Sequence, residues 1–136
     1  MTSIINASVS SNGIVSTADA SGILQIQSNG VNTNAQAWVS FNGSATPTIR
    51  ASYNVTSITF VATGTFTINF TNALADTNYA TIGSCESNGS GVNSRDLTFQ
   101  VSYSAAKTTT TVQVNSYSDN AAAQQNATVY NVAVFR

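Results

Sequence analysis

Apolar side chains recur at every second position through much of this chain. In Phe66-Thr67-Ile68-Asn69-Phe70 they alternate with Thr and Asn, the period of a strand that buries one face. Residues 97–103 and 110–115 repeat the pattern, and Ile58-Thr59-Phe60 and Leu24-Gln25-Ile26 are shorter versions of it. Two runs break the alternation. Ala37-Trp38-Val39-Ser40-Phe41 and residues 128–135 carry apolar side chains on both faces. A strand with two apolar faces is covered on both sides, so both runs are expected at the centre of a sheet or in an interface. Asn12-Gly13, Asn29-Gly30, Asn42-Gly43, residues 87–91 and Ser118-Asp119-Asn120 separate the runs and offer the positive-φ positions of tight turns. No window has helical spacing, and residues 120–126 are expected to form a loop or a single turn. The pattern predicts an all-β fold, an antiparallel β-sandwich or jelly-roll-like arrangement, with almost no helix.

Residues 1–34 hold small apolar clusters (Ile4-Ile5, Ile14-Val15, Ile23-Leu24) and no aromatic, whereas every Phe, Tyr and Trp follows. Aromatics bury the most area per residue. The core is therefore expected in a sandwich domain of residues 35–136. Residues 1–34 become an extended N-terminal arm that packs on the domain, a sister subunit or a partner.

Composition narrows the chemistry. Charged residues are 7% of the chain, net charge is −1, histidine is absent and Cys85 is the single cysteine. Nineteen Ser, nineteen Thr and sixteen Asn take the place of the missing charges. A hydrophobic fraction of 42% and one proline nevertheless point to a folded chain, because disorder pairs low hydrophobicity with high net charge. Without histidine there is no Ser–His–Asp mechanism and no imidazole metal ligand. With one cysteine there is neither an intrachain disulfide nor a thiolate zinc site, and Cys85 reads as an ordinary small residue. Four cations are too few for counterion-driven binding, so nucleic acid is not a principal partner. No run is long enough for a helical membrane span. The first residues lack the basic and apolar regions of a signal peptide, which suggests an intact product of cytoplasmic synthesis.

The remaining motifs have plain explanations. Asn6, Asn42, Asn54, Asn69, Asn88 and Asn126 sit in Asn-x-Ser/Thr, about the number that this composition gives by chance. Asp76, Glu86, Asp96 and Asp119 lie in or beside turns, where carboxylates make local hydrogen bonds. They suggest neither a hydrolytic pair nor a calcium loop at Asp119-Asn120. Lys107-Thr108-Thr109-Thr110-Thr111 reads as a turn leading into a β-branched strand start, in preference to a flat array for ice or sugar. Trp38 and the tyrosines are expected in the core or in subunit contacts, although they could also stack on a glycan. No catalytic, cofactor-binding or metal-binding residue is expected, and no cofactor.

Three stretches are familiar as a combination. Residues 37–43 (A-W-V-S-F-N-G), 49–59 (I-R-A-S-Y-N-V-T-S-I-T) and 64–80 (G-T-F-T-I-N-F-T-N-A-L-A-D-T-N-Y-A) resemble a β-domain recurrent in virion structural proteins of tailed bacteriophages. Residues 130–135 are similar to the apolar last strand of such proteins, and residues 13–30 look like a segment that precedes fibre modules. The resemblance spans about half the chain. It implies a non-enzymatic virion structural protein, commonly a homotrimer. The domain follows Met1 almost at once, unlike that of a long tail fibre. This favours a capsid decoration (cement) protein on the capsid surface, synthesised in the host cytoplasm, that contacts the major capsid protein or another virion protein and stabilises the head. The alternative is a tail-fibre or head-fibre module that binds a glycan or cell-surface receptor, suggested by the tyrosine-rich, turn-rich second half around residues 84–93 and 116–125.

Overall fold

In the computed structural model, residues 27–28, 31–32, 34–86, 97–102, 104–118 and 121–136 are described. The elements there are strands: β1 (Gln27–Ser28), β2 (Val31–Asn32), β3 (Ala37–Phe41), β4 (Ile49–Tyr53), β5 (Val55–Ala62), β6 (Thr65–Phe70), β7 (Ala80–Glu86), β8 (Leu97–Val101), β9 (Thr111–Ser118), β10 (Ala123–Gln124) and β11 (Val129–Phe135). All pairings are antiparallel. One sheet has the order β4-β3-β11-β7, the other β5-β6-β9, with β8 and β10 also on β9. Val114 and Asn115 of β9 pair with both β6 and β8, so those two strands flank β9 on opposite edges.

The alternating runs do what their period predicts. Phe66, Ile68 and Phe70 of β6 and Val112 and Val114 of β9 are buried, facing Ala37, Val39, Phe41, Tyr130, Val132 and Val134 of the other sheet. Aromatic rings join the sheets. Phe41 stacks on Tyr130 (centroids 4.9 Å apart, planes 8° from parallel) and meets Phe66 edge-on at 5.4 Å. Such pairs add about 0.5–1.5 kcal/mol each beyond area burial. The molecule is an antiparallel β-sandwich, and its two doubly apolar runs, β3 and β11, pair with each other at the centre of one sheet.

Local chemistry makes the corners. Asn54, between β4 and β5 where the chain passes from one sheet to the other, has φ 54°. Its Nδ2 donates to the Gln36 and Asn72 carbonyls (3.0 and 3.2 Å) and its Oδ1 accepts the Asn72 N–H (2.8 Å). Asparagine tolerates this backbone conformation. Gly64 closes the β5–β6 hairpin at φ +69°, and its N–H donates to Asn126 Oδ1 at 2.6 Å.

Three expectations change. Asn42-Gly43 does not take the positive-φ geometry expected of it. Gly43 is small because a Cβ there would strike the Tyr130 ring and the Ala127 carbonyl. Residues 120–126 supply a short strand, β10, after a turn with Ala122 at φ 47°. Two strands carry no clear alternation in the sequence, β4 and β7. Of the arm, only β1, β2 and Asn34 fall among the described residues, and its packing lies outside them. Among the described residues, every buried apolar residue of the core lies between Ala37 and Val134.

Candidate interaction surface

The two outward faces of the sandwich differ in chemistry. On the β5-β6-β9-β8 sheet the outward positions are mostly uncharged and polar, with Val61 (50% exposed) and Ala62 as apolar exceptions at the end of β5. The registers align Thr59 with Thr67 and Gln113, and Thr65 with Asn115 and Gln100. Asn69 ties this face together, its Nδ2 donating to Ser57 Oγ (3.1 Å) and Thr59 Oγ1 (3.0 Å). Tyr117 lies at the far end, half-buried, level with Thr98.

The outward face of β4-β3-β11-β7 is apolar across its middle. Tyr53 pairs with Trp38, Trp38 with Ala133, and Ala133 with Ile82, so four apolar side chains form one row across four strands. Trp38, Tyr53 and Ile82 are 40%, 41% and 58% exposed. Phe135 and Ala80, which also pair, add a second apolar row two residues along β11 and β7, while Ser40, Asn131 and Ser84 make the row on the other side polar. Because Ala133 is small between two large neighbours, the face is notched. An open groove of about 480 Å³ runs between Trp38 and Ile82 over Ala133 and Val132. A large exposed apolar patch rimmed by polar groups marks a contact surface.

The titratable groups among the described residues are dispersed. Asp76 accepts from Arg136 (2.7 Å) and from the Asn78 N–H (2.8 Å), and the guanidinium holds its carboxyl below the usual range. Glu86 accepts from Asn131 Nδ2 at 3.1 Å, at the other end of β7, some 20 Å away along the strand. No group of three or more Cys, Asp or Glu comes together among the described residues. Cys85 Sγ is within 3.4 Å of the Leu97 carbonyl, and partial burial raises its pKa, the opposite of what activates a thiol. Asp96 and Asp119 lie outside the described residues.

The tyrosines divide. Tyr130 and Tyr79 are core residues. The Tyr79 hydroxyl donates between the Thr108 and Thr111 carbonyls, and Lys107 Nζ sits 4.8 Å above its ring. Tyr53 and Trp38 face outward, and Tyr103 lies outside the described residues. The threonine run is a turn followed by a strand start: Thr108 Oγ1 accepts the N–H groups of Thr110 (3.1 Å) and Thr111 (2.8 Å), and only Thr111 belongs to β9. Of the Asn-x-Ser/Thr asparagines, Asn42, Asn54, Asn69 and Asn126 spend their amides on hydrogen bonds within the fold. Sequence alternation marked β3 and β11 as having two apolar faces. Ile82 gave no such signal, because the residues around it in β7 show no alternation and its place is set by the register beside β11.

Comparison with known proteins finds no matching family, no similar curated protein and no similar solved structure.

Proposed function

We propose that this chain is a non-enzymatic structural protein of a tailed-bacteriophage virion, a decoration (cement) protein that stabilises the head by bridging neighbouring capsid subunits. The observation that carries an assembly role is the Tyr53–Trp38–Ala133–Ile82 row, an apolar face on a subunit whose described carboxylates and thiol are occupied or apart. The phage setting comes from the resemblance of residues 37–80. The mechanism is mechanical: interface buried on the intact shell and lost on opening adds to the free energy of opening. Uncharged contacts suit such a role because salt screens them far less than surface ion pairs.

The test is the copy number of this chain in purified particles, with heat release of the genome measured with and without it. Hundreds of copies and a lower release temperature in their absence support decoration. Equal release temperatures refute the stabilising role, and a few to a few dozen copies assign the chain to a fibre or tail. Replacing Trp38 and Ile82 together by Asp should leave the fold intact and reduce the copies retained on the particle.

A further inference from the structure

We propose that the groove between Trp38 and Ile82 receives the Ile14-Val15 cluster of a neighbouring copy, so that N-terminal arms link subunits by exchange. This rests on the reading of the chain as an assembling subunit and names what its apolar face holds. The outward face spans four strands by five to seven residues, about 15 × 20 Å, or roughly 300–400 Å². A stable pair of proteins buries about 800 Å² on each partner. Two such faces pressed together fall short, but a groove of this size suits one short apolar segment lying across it.

The chain itself contains such segments. Residues 1–26 carry Ile4-Ile5, Ile14-Val15 and Ile23-Leu24 with Asp19 as their only charge, a chemical match to an uncharged groove. The described fold leads the chain to this face. The β1–β2 pairing sets Gln27 opposite Asn32, two residues before Asn34, and the Gln36 N–H donates to the Val134 carbonyl at 2.7 Å, beside Phe135 in the row next to Trp38 and Ala133. Residues 1–26 thus join the sandwich through β1, β2 and β3, and β3 carries Trp38 of the groove. Length then selects a neighbour's groove for the middle cluster. The clusters are nine or ten residues apart, up to about 30 Å when extended, and the face is about 20 Å long. Fully extended, the arm would leave Ile23-Leu24 near its own subunit and carry Ile14-Val15 beyond the face.

Trp38 is the only tryptophan and lines the groove, so its fluorescence reports occupancy in the full-length protein. The wild type at high concentration should show blue-shifted emission shielded from acrylamide. Dilution to monomer should shift it to the red and abolish the shielding. I14S/V15S should show the exposed signal at every concentration, with the cooperative unfolding of the wild type followed by circular dichroism. In a C85S background, Val15→Cys with Ile82→Cys should give a disulfide-linked dimer on oxidation. Shielding that survives dilution, or closure of the cysteine pair within one chain, assigns the groove to the chain's own arm and overturns the proposal. Shielding that survives I14S/V15S, a Trp38 exposed under all conditions, or absence of a cross-link overturns it as well. These outcomes concern purified protein, so they are separable from the copy number and release temperature that test the virion role.

Discussion

Tyr130→Phe tests whether one buried hydroxyl network fastens the two sheets. Tyr130 and Ser116 are fully buried and Ala127 is 2% exposed. The Ser116 hydroxyl donates to the Gln125 carbonyl. Its single hydrogen is thereby committed, so in the Ser116–Tyr130 contact Tyr130 must be the donor and Ser116 Oγ the acceptor. The Tyr130 oxygen in turn accepts the Ala127 N–H at 3.2 Å. The chain of donation runs from Ala127 to Tyr130 to Ser116 to Gln125, and it joins β11 to β9 in the opposite sheet. Phenylalanine preserves the stack on Phe41 and removes the oxygen. Ser116 keeps its bond to Gln125, whereas the buried Ala127 N–H loses its acceptor. A stranded buried donor costs about 1–3 kcal/mol, which for a domain of this size lowers Tm by roughly 4–12 °C. Equilibrium denaturation should show a lower midpoint with an unchanged m-value. Ser116→Ala should cost a similar amount by stranding the Tyr130 O–H and the Gln125 carbonyl, and the double variant should cost less than the sum, since both remove parts of one chain. A Tm within about 1 °C of wild type for Y130F, or strict additivity in the double variant, would refute the role of this network in fastening the sheets.

Other expectations follow from particular contacts. Gly43→Ala should lower Tm by several degrees, because its Cβ meets the Ala127 backbone carbonyl and the Tyr130 ring in the core; a neutral result in calorimetry would contradict the packing. Burial raises the pKa of Tyr130, Tyr79 and Cys85. Their folded forms hold the proton more tightly than the unfolded chain, so this stability is present at neutral pH and is lost as pH rises beyond about 9. Asp76 has the opposite sign: its lowered pKa contributes above its unfolded value and is lost as pH falls through about 4. Tm scans should therefore be flat between about pH 5 and 8, with the alkaline fall reduced in Y130F. Thr108→Ala should cost about 1 kcal/mol in chemical denaturation, since it removes the acceptor for two N–H groups that open β9.

Alternation made β6, β8 and β9 legible because their inward positions carry large apolar residues. It also gave the central place of β3 and β11, whose second apolar face needs a cover in any arrangement. The seven residues of β7 gave no such signal, for a reason visible only across the sandwich. Its inward positions are Thr81, Gly83 and Cys85, all small. A Cβ on Gly83 would lie 2.7 Å from the Phe99 ring of the facing sheet and 2.7 Å from the Asn131 carbonyl. Phe99 fills the volume that a larger residue in β7 would have occupied, so the information for that strand resides in β8. The edge strand β4 was obscured differently, by the register shift between Ser40 and Phe41, which interrupts a period of two. Asn42-Gly43 has the composition of a turn and is used for close packing, a distinction that composition does not carry.

The groove inherits this dependence on distant parts of the chain. Its walls, Trp38 and Ile82, and its floor, Ala133, come from β3, β7 and β11, which are far apart in sequence and adjacent in one sheet. The first and last strands of the sandwich pair in register, Val39 opposite Val132, and β7 has no neighbour in its sheet but β11. Until β11 is in place, Trp38 and Ile82 belong to separate strands and no notch exists between them. The strand β11 thus completes the core and creates the apolar row in one step. Non-local pairing of this kind makes folding slow, and it carries a compensation here. A chain that has not closed its core exposes strands but lacks the notched apolar face, so that face is presented only by chains that have finished folding.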